Sequence, residues 1–314
     1  MKDKHCQIHV MDKHLLDWFN QFQTGEQIGE VHSIFDKVIN FVSNDGSMLF
    51  SLAKDRIIQA PKMMKTTDEI SFNAMCSSIN PSNHVKKVGY KAIQIKDWKW
   101  SYTTSERWER ELSSLSQVKP ELSESHLAYI DAFIEANGQD SGLLSAWKDF
   151  IVKGEAGSES SIDNIYFCPF VNGLKTITEE IEKQLLEKFV YRFAGLGVGL
   201  TPSGDDFLIG LLSTWQYFGF SLYQDFMNNG KVDLSILKRR TTDVSYFMLE
   251  NCCLGYVNDA LLDLLEHIDT HPMNQLQQVL SIGSTSGTDM LIGVSFAYRQ
   301  LLKQQILLED KRFD

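Results

Sequence analysis

Two stretches of this chain carry the same set of hydroxyls, glycines and carboxylates. Residues 200–210 read Leu-Thr-Pro-Ser-Gly-Asp-Asp-Phe-Leu-Ile-Gly, and residues 283–293 read Gly-Ser-Thr-Ser-Gly-Thr-Asp-Met-Leu-Ile-Gly. In register, Ser203 falls on Ser286, Gly204 on Gly287, Asp206 on Asp289 and Gly210 on Gly293. Small polar residues leading into an apolar run are the pattern of a helix N-terminus, where unpaired N–H groups and hydroxyls favour an anion: a phosphate, a carboxylate or a developing oxyanion. Two copies predict a pseudo-symmetric helix pair with both N-termini at one pocket. The residues expected to bind substrate are Thr201, Ser203, Gly204, Asp206, Thr285, Ser286, Gly287 and Asp289.

The plainer account of each box is helix capping. Ser203-x-x-Asp206 and Ser286-x-x-Asp289 fit a capping box, with the serine accepting from the third helical N–H and the aspartate reaching back to the cap. Capping does not call for Gly204 and Gly287, since glycine costs a helix about 0.5–1 kcal/mol relative to alanine. Glycine there would let a ligand approach the backbone. Nor does capping use Thr201, Thr285 or Asp205. Asp205 is therefore the candidate catalytic acid or base, and Gly210 and Gly293 are expected to let two helices approach closely.

Other chemistries fit less well. Gly199 to Gly204 has the glycine spacing of a P-loop, but Asp205 follows where that motif needs lysine. Gly195, Gly197 and Gly199 follow a helical pattern rather than a strand, so they are no dinucleotide fingerprint. The residues imply no cofactor and no resident metal, although Asp205, Asp206 and Asp289 together would suit Mg²⁺ in a phosphate-ester enzyme. His267 and His271 lack the glutamate of a zinc helix. Lys238-Arg239-Arg240-Thr241-Thr242 is a basic run, read either as a solvated helix face or as a source of Arg240 and Thr242 for the anion pocket.

The elements that must hold these residues form an α+β chain. Of its 314 residues, 43% are hydrophobic and 23% charged, enough for a packed core, and the formal net charge is −11. That balance disfavours nucleic acid and anionic membranes as partners. Five cysteines without a C-x-x-C pair suit a reducing, cytoplasmic setting, and Met1–Asn20 has no signal-peptide core. A β-rich N-terminal domain is expected over 1–115 and an α-helical domain over 116–314. In the first, strands at 37–43 and 47–53 flank an Asn44-Asp45-Gly46 turn, 85–95 reads as a strand and 57–75 as a strand pair. Helices are expected from 105, at 121–136, 178–193, 205–220, 235–251, 257–267, 275–282 and 288–304, with a loop at 154–161.

The string Gly195-Leu-Gly-Val-Gly-Leu-Thr-Pro-Ser-Gly-Asp-Asp206 resembles that of a bacterial family that includes the AllH subunit of oxamate carbamoyltransferase, of anaerobic allantoin degradation. Val31-His-Ser-Ile-Phe-Asp36, Arg240-Thr-Thr-x-x-Ser245 and Ser284 to Asp289 resemble the family's other elements. The resemblance implies a multi-subunit enzyme that exchanges a carbamoyl group between phosphate and the amide nitrogen of oxamate. Other subunits and a small anionic substrate are then the expected partners. Two further readings remain: a non-catalytic assembly or effector-binding subunit, and the Mg²⁺-dependent enzyme above.

Overall fold

A computed structural model describes residues 4–153, 167–183, 186, 188–228 and 232–310. The loop expected at 154–161 lies outside the described residues. Contacts divide the chain into Met1–Arg110 and Glu111–Asp314.

The first unit is built on β1 (Lys4–Gln7), β2 (Val10–Asp12), α1 (Lys13–Phe19), β3 (Gln27–Ile34), β4 (Val38–Ser43), β5 (Leu49–Lys54), β6 (Met63–Thr66), α2 (Glu69–Cys76), β7 (His84–Val88), β8 (Ala92–Ile95), β9 (Trp98–Ser101) and β10 (Glu106–Trp108). The strands form one ten-stranded sheet in the order β1-β9-β8-β7-β3-β4-β5-β6-β2-β10. Its pairs are antiparallel except β1/β9, β5/β6 and β2/β10. The Asn44-Asp45-Gly46 turn forms as expected: Gly46 takes φ +67°, and the Asp45 carboxylate accepts from Ser43 Oγ and from Ser47 N and Oγ. These bonds to the charged form pull the Asp45 pKa down to about 2.

Three N-terminal expectations change. The stretch 85–95 is two strands, because Gly89 at φ +57° turns the chain back between β7 and β8. The stretch 57–75 holds β6 and then α2, which Asp68 starts by accepting from Ser71 N. No α-helix opens at 105; β10 and a short 3₁₀ turn, Leu112–Ser114, stand there instead. Both helices of this unit bury aromatic or apolar side chains in the core, where Phe19 meets Phe50 edge-on at 5.6 Å and the Trp100 indole donates to Met75 Sδ.

The second unit is helical: α3 (Glu124–Asn137), α4 (Leu144–Lys153), α5 (Phe167–Glu182), α6 (Val190–Phe193), α7 (Ser203–Phe218), α8 (Ser221–Asn228), α9 (Leu234–Lys238), α10 (Asp243–Cys253), α11 (Asp259–Glu266), α12 (Met273–Leu280) and α13 (Ser286–Asp310). The expected helix at 178–193 is the end of α5 plus α6, and that at 235–251 breaks at Arg239–Thr242 into α9 and α10. Helices α4 and α8 stand where the sequence reading expects none. All five cysteines are free. Among the described residues no helix is long and apolar enough to cross a membrane.

Helices α7 and α13 are the centre of this unit. In α7 the stretch from Gly204 to Trp215 is buried on every side, Asp205, Asp206, Ser213 and Thr214 included, as a helix is when others surround it. Gly210 and Gly293 set the crossing. A Cβ on Gly210 would lie 2.0 Å from Met290 O and 3.1 Å from Val294 N, and one on Gly293 would lie 2.1 Å from Phe207 O and 2.8 Å from Leu211 N. Phe207 and Leu211 are the counterparts of Met290 and Val294 in the repeated box, so the contact obeys a local two-fold. This is the expected pseudo-symmetric helix pair.

Candidate functional site: two facing helix N-termini

The crossing brings the starts of the two helices together. Thr201 Oγ1 of the first box lies 3.0 Å from Ser286 Oγ of the second. Thr201, Ser203, Thr285 and Ser286 are half-buried, whereas Gly204, Asp205, Asp206, Gly287 and Asp289 are buried. The arrangement is a mouth of hydroxyls over a floor of acids.

Capping does not account for the boxes. Ser203 is the first residue of α7, and its cap position is Pro202, whose ring has no acceptor to offer. Asp206 N–H and Asp205 N–H donate to Pro202 O. The Asp206 carboxylate does not reach back to its cap. Asp289 instead accepts from Leu143 N at 2.8 Å, tying the segment before α4 to α13. Gly142 is required beside it, since a Cβ there would lie 2.5 Å from Asp289 Oδ1.

The glycines also have another use. The Gly204 N–H donates to Leu196 O and the Gly287 N–H to Ile282 O, so neither is open to a ligand. Their bare Cα atoms admit backbone instead: a Cβ on Gly204 would lie 2.1 Å from Phe193 O, and one on Gly287 2.1 Å from Val279 O. The expectation that these glycines present backbone to a ligand gives way to close chain packing. The Ser203 and Ser286 N–H groups, by contrast, take part in no internal backbone hydrogen bond among the described residues.

The three aspartates occupy different environments. Asp205 is fully engaged: Gly195 N donates to Oδ1 at 2.8 Å, and Ser245 Oγ (2.7 Å) and the Thr241 hydroxyl donate to Oδ2. Burial raises its pKa and these three bonds oppose the rise. Asp206 is the opposite case. Both its oxygens are buried and lack a partner at hydrogen-bonding geometry. Burial holds its pKa well above the carboxylate range, with Asp289 and Asp205 adding to the rise and the neighbouring Ser286 and Thr201 hydroxyls opposing it. Asp289 is pushed up to about 6 by burial, against Leu143 N–H and the Ser203 and Thr285 hydroxyls, and its Oδ2 is unpartnered. Each serine thus lies beside the aspartate of the other box. A carboxyl that titrates near neutrality is equipped to hand over or take a proton. Asp205, with its oxygens committed, stands apart; among the described residues no three His, Cys, Asp or Glu side chains form a group able to hold a metal.

The basic run between the boxes divides at Arg240. Its neighbours Thr241 and Ser245 go to Asp205, and Thr242, the cap of α10, accepts from Ser245 N and donates to Leu200 O. Gly195, at φ +75°, permits this joint: a Cβ there would sit 1.9 Å from Arg240 O. The Arg240 guanidinium turns away from the boxes, donating to Tyr191 O and lining a cleft of about 650 Å³ with Lys188, Tyr191 and Arg192. Sequence reasoning missed that cleft, because Lys188 and Arg192 are single cations within helical periodicity. It missed Leu143 too, which acts through its backbone and carries no mark of side-chain type.

No solved structure matches the chain. A family described as the AllH family N-terminal domain matches residues 7–107, and the family described as oxamate carbamoyltransferase subunit AllH matches residues 193–298, from the glycine loop to near the middle of α13. The two matches together span about two-thirds of the sequence, so the chain belongs to the AllH family.

Proposed function

We propose that this chain is a subunit of a carbamoyl-transfer enzyme and that its paired helix N-termini form part of the substrate site. The family's description, an oxamate carbamoyltransferase subunit, supports this reaction class; the reading takes carbamoyl phosphate and oxamate as one side and oxalurate and phosphate as the other. The observation that carries the reading is the Thr201–Ser286 contact, which joins both boxes at one mouth directly over two acids of raised pKa.

In this reading the Thr201, Ser203, Thr285 and Ser286 hydroxyls, with the Ser203 and Ser286 N–H groups, hold an anionic substrate. The amide nitrogen attacks the carbamoyl carbon, the bond from that carbon to the phosphate oxygen breaks, and phosphate leaves with the electron pair. The amide proton passes through the Ser203 hydroxyl to Asp289, whose pKa near neutrality suits it to the task. Asp206, whose pKa burial raises, lies beside the Ser286 and Thr201 hydroxyls under the mouth. Asp205, the acid expected from the sequence to orient or deprotonate the amide, is assigned the positioning of the Thr241–Ser245 turn. Val198 and Leu200, 73% and 42% exposed on the glycine loop, are suited to meet another subunit that completes the site.

The test is turnover of the reconstituted complex carrying Ser203→Ala together with Ser286→Ala, followed as phosphate release. Assembly is checked by gel filtration. The reading requires loss of turnover with assembly intact, and an active double variant would sink it.

A further inference from the structure

The cleft beside α6 has no part in the mouth described above, and its chemistry is distinctive for so acidic a chain. Lys188, Arg192 and Arg240 converge on it, with the Asn172 amide, the Tyr191 side chain and Thr176, whose hydroxyl donates to Asn172 O. Only Arg192 is compensated, by the Glu180 carboxylate. Lys188 and Arg240 have no carboxylate within ion-pair distance among the described residues, and Arg240 spends one guanidinium nitrogen on Tyr191 O. Arg192 Nη1 is buried with no hydrogen-bond partner. A buried guanidinium N–H left open costs free energy that a bound acceptor would recover. Lys188 is held at the rim by a strained backbone, φ +51°, a conformation that side-chain-bearing residues adopt at a cost of order 1–3 kcal/mol.

We infer that this cleft is an anion-binding site for a phosphate group, formed by Lys188, Arg192 and Arg240 with Asn172. Two uncompensated cations and a half-satisfied third match the charge of a phosphate dianion better than that of a monocarboxylate. The forks of Arg192 and Arg240 and the Asn172 amide suit an oxyanion with three or four acceptor oxygens. The site does not depend on the carbamoyl-transfer reading.

The experiment is a calorimetric titration of inorganic phosphate into the full chain at pH 7.5, with a parallel titration of oxamate at matched ionic strength. Phosphate should bind saturably, and more tightly than oxamate. Lys188→Gln with Arg240→Gln should weaken phosphate binding roughly ten- to hundredfold, the loss of charge-assisted bonds to one anion. The chain carrying Ser203→Ala with Ser286→Ala should retain a saturable phosphate site, since the cleft is untouched. Lys188 is exposed, so Lys188→Gln alone serves where the double variant unfolds, with several-fold weakening expected. The inference is overturned if phosphate does not bind saturably, if the cleft variants bind it as the parent does, or if only the box variants lose it. That last result would place the anion at the helix N-termini and leave the carbamoyl-transfer reading standing.

Discussion

Gly210 and Gly293 each stand where the other's helix backbone passes: a Cβ on the first would meet Met290 O at 2.0 Å, and one on the second would meet Phe207 O at 2.1 Å. The mouth exists because this crossing fixes the two helix starts side by side.

Gly210→Ala and Gly293→Ala should therefore both destabilise the chain. Alanine gains about 1 kcal/mol of helix propensity, but the methyl group forces two backbones apart, and overpacking of this kind costs about 1–3 kcal/mol or more. Urea unfolding should show a lower midpoint for both variants. Because the contact is two-fold, the two losses should be similar. A midpoint at or above the parent's for either would mean the helices are not in contact there.

Asp289 predicts a pH dependence of stability. Burial raises its folded pKa to about 6, above its unfolded value, so the folded state holds the proton more tightly. The stabilisation is present in full below the unfolded pKa and is lost as pH rises through about 6. At about 1.4 kcal/mol per unit, the loss is of order 3 kcal/mol. Asp289→Asn keeps an acceptor for Leu143 N–H and removes the titration. Its stability relative to the parent should improve between pH 4.5 and 7.5, measured as urea midpoints at the two values. Groups such as Asp45 titrate alike in both proteins and cancel. A constant difference across that range would contradict the raised pKa.

Asp205 predicts a structural loss. Asp205→Ala leaves Gly195 N–H and the Thr241 and Ser245 hydroxyls without their acceptor in a buried place. The expected cost is about 3–5 kcal/mol. Asp205→Asn can accept from Gly195 N and donate to a hydroxyl, and should lose less. Thermal unfolding of the pair gives the order; equal melting temperatures for the alanine variant and the parent would remove the positioning role.

Thr242 joins two segments through one hydroxyl, accepting from Ser245 N and donating to Leu200 O. Thr242→Val keeps the shape and loses both bonds. Loss of the cap alone costs about 1 kcal/mol, and the freed Leu200 carbonyl should loosen the glycine loop. Faster amide exchange around Leu196–Leu200 is expected, and unchanged exchange would place the loop's order elsewhere.

On the catalytic side, Ser203→Ala and Ser286→Ala should each lower turnover of the reconstituted complex by about two orders of magnitude, the scale of a lost proton-transfer partner. Asp289→Asn should do the same and flatten the acid limb of the rate profile near pH 6. A rate profile with that limb intact would assign the proton transfer to another group.

The residue order alone determined much of this protein. Alternating β-branched and aromatic residues around Asn44-Asp45-Gly46 specify a hairpin, because turn geometry and strand period are local properties. The repeated boxes likewise announce two helices and, through Gly210 and Gly293, their close pairing. Helix bounds were less legible where a break depends on distant partners: α9 and α10 separate at Arg239–Thr242 because Thr241, Thr242 and Ser245 are held by Asp205 and Leu200, contacts no local pattern reveals. Within the boxes the tertiary structure decided which groups are free. Gly204 and Gly287 serve backbone packing, Asp205 is committed to three internal donors, and Asp206 and Asp289 keep open oxygens. Residue type sets what a side chain can donate or accept; burial and neighbours from other segments set whether it is charged and whether it is still free to do so.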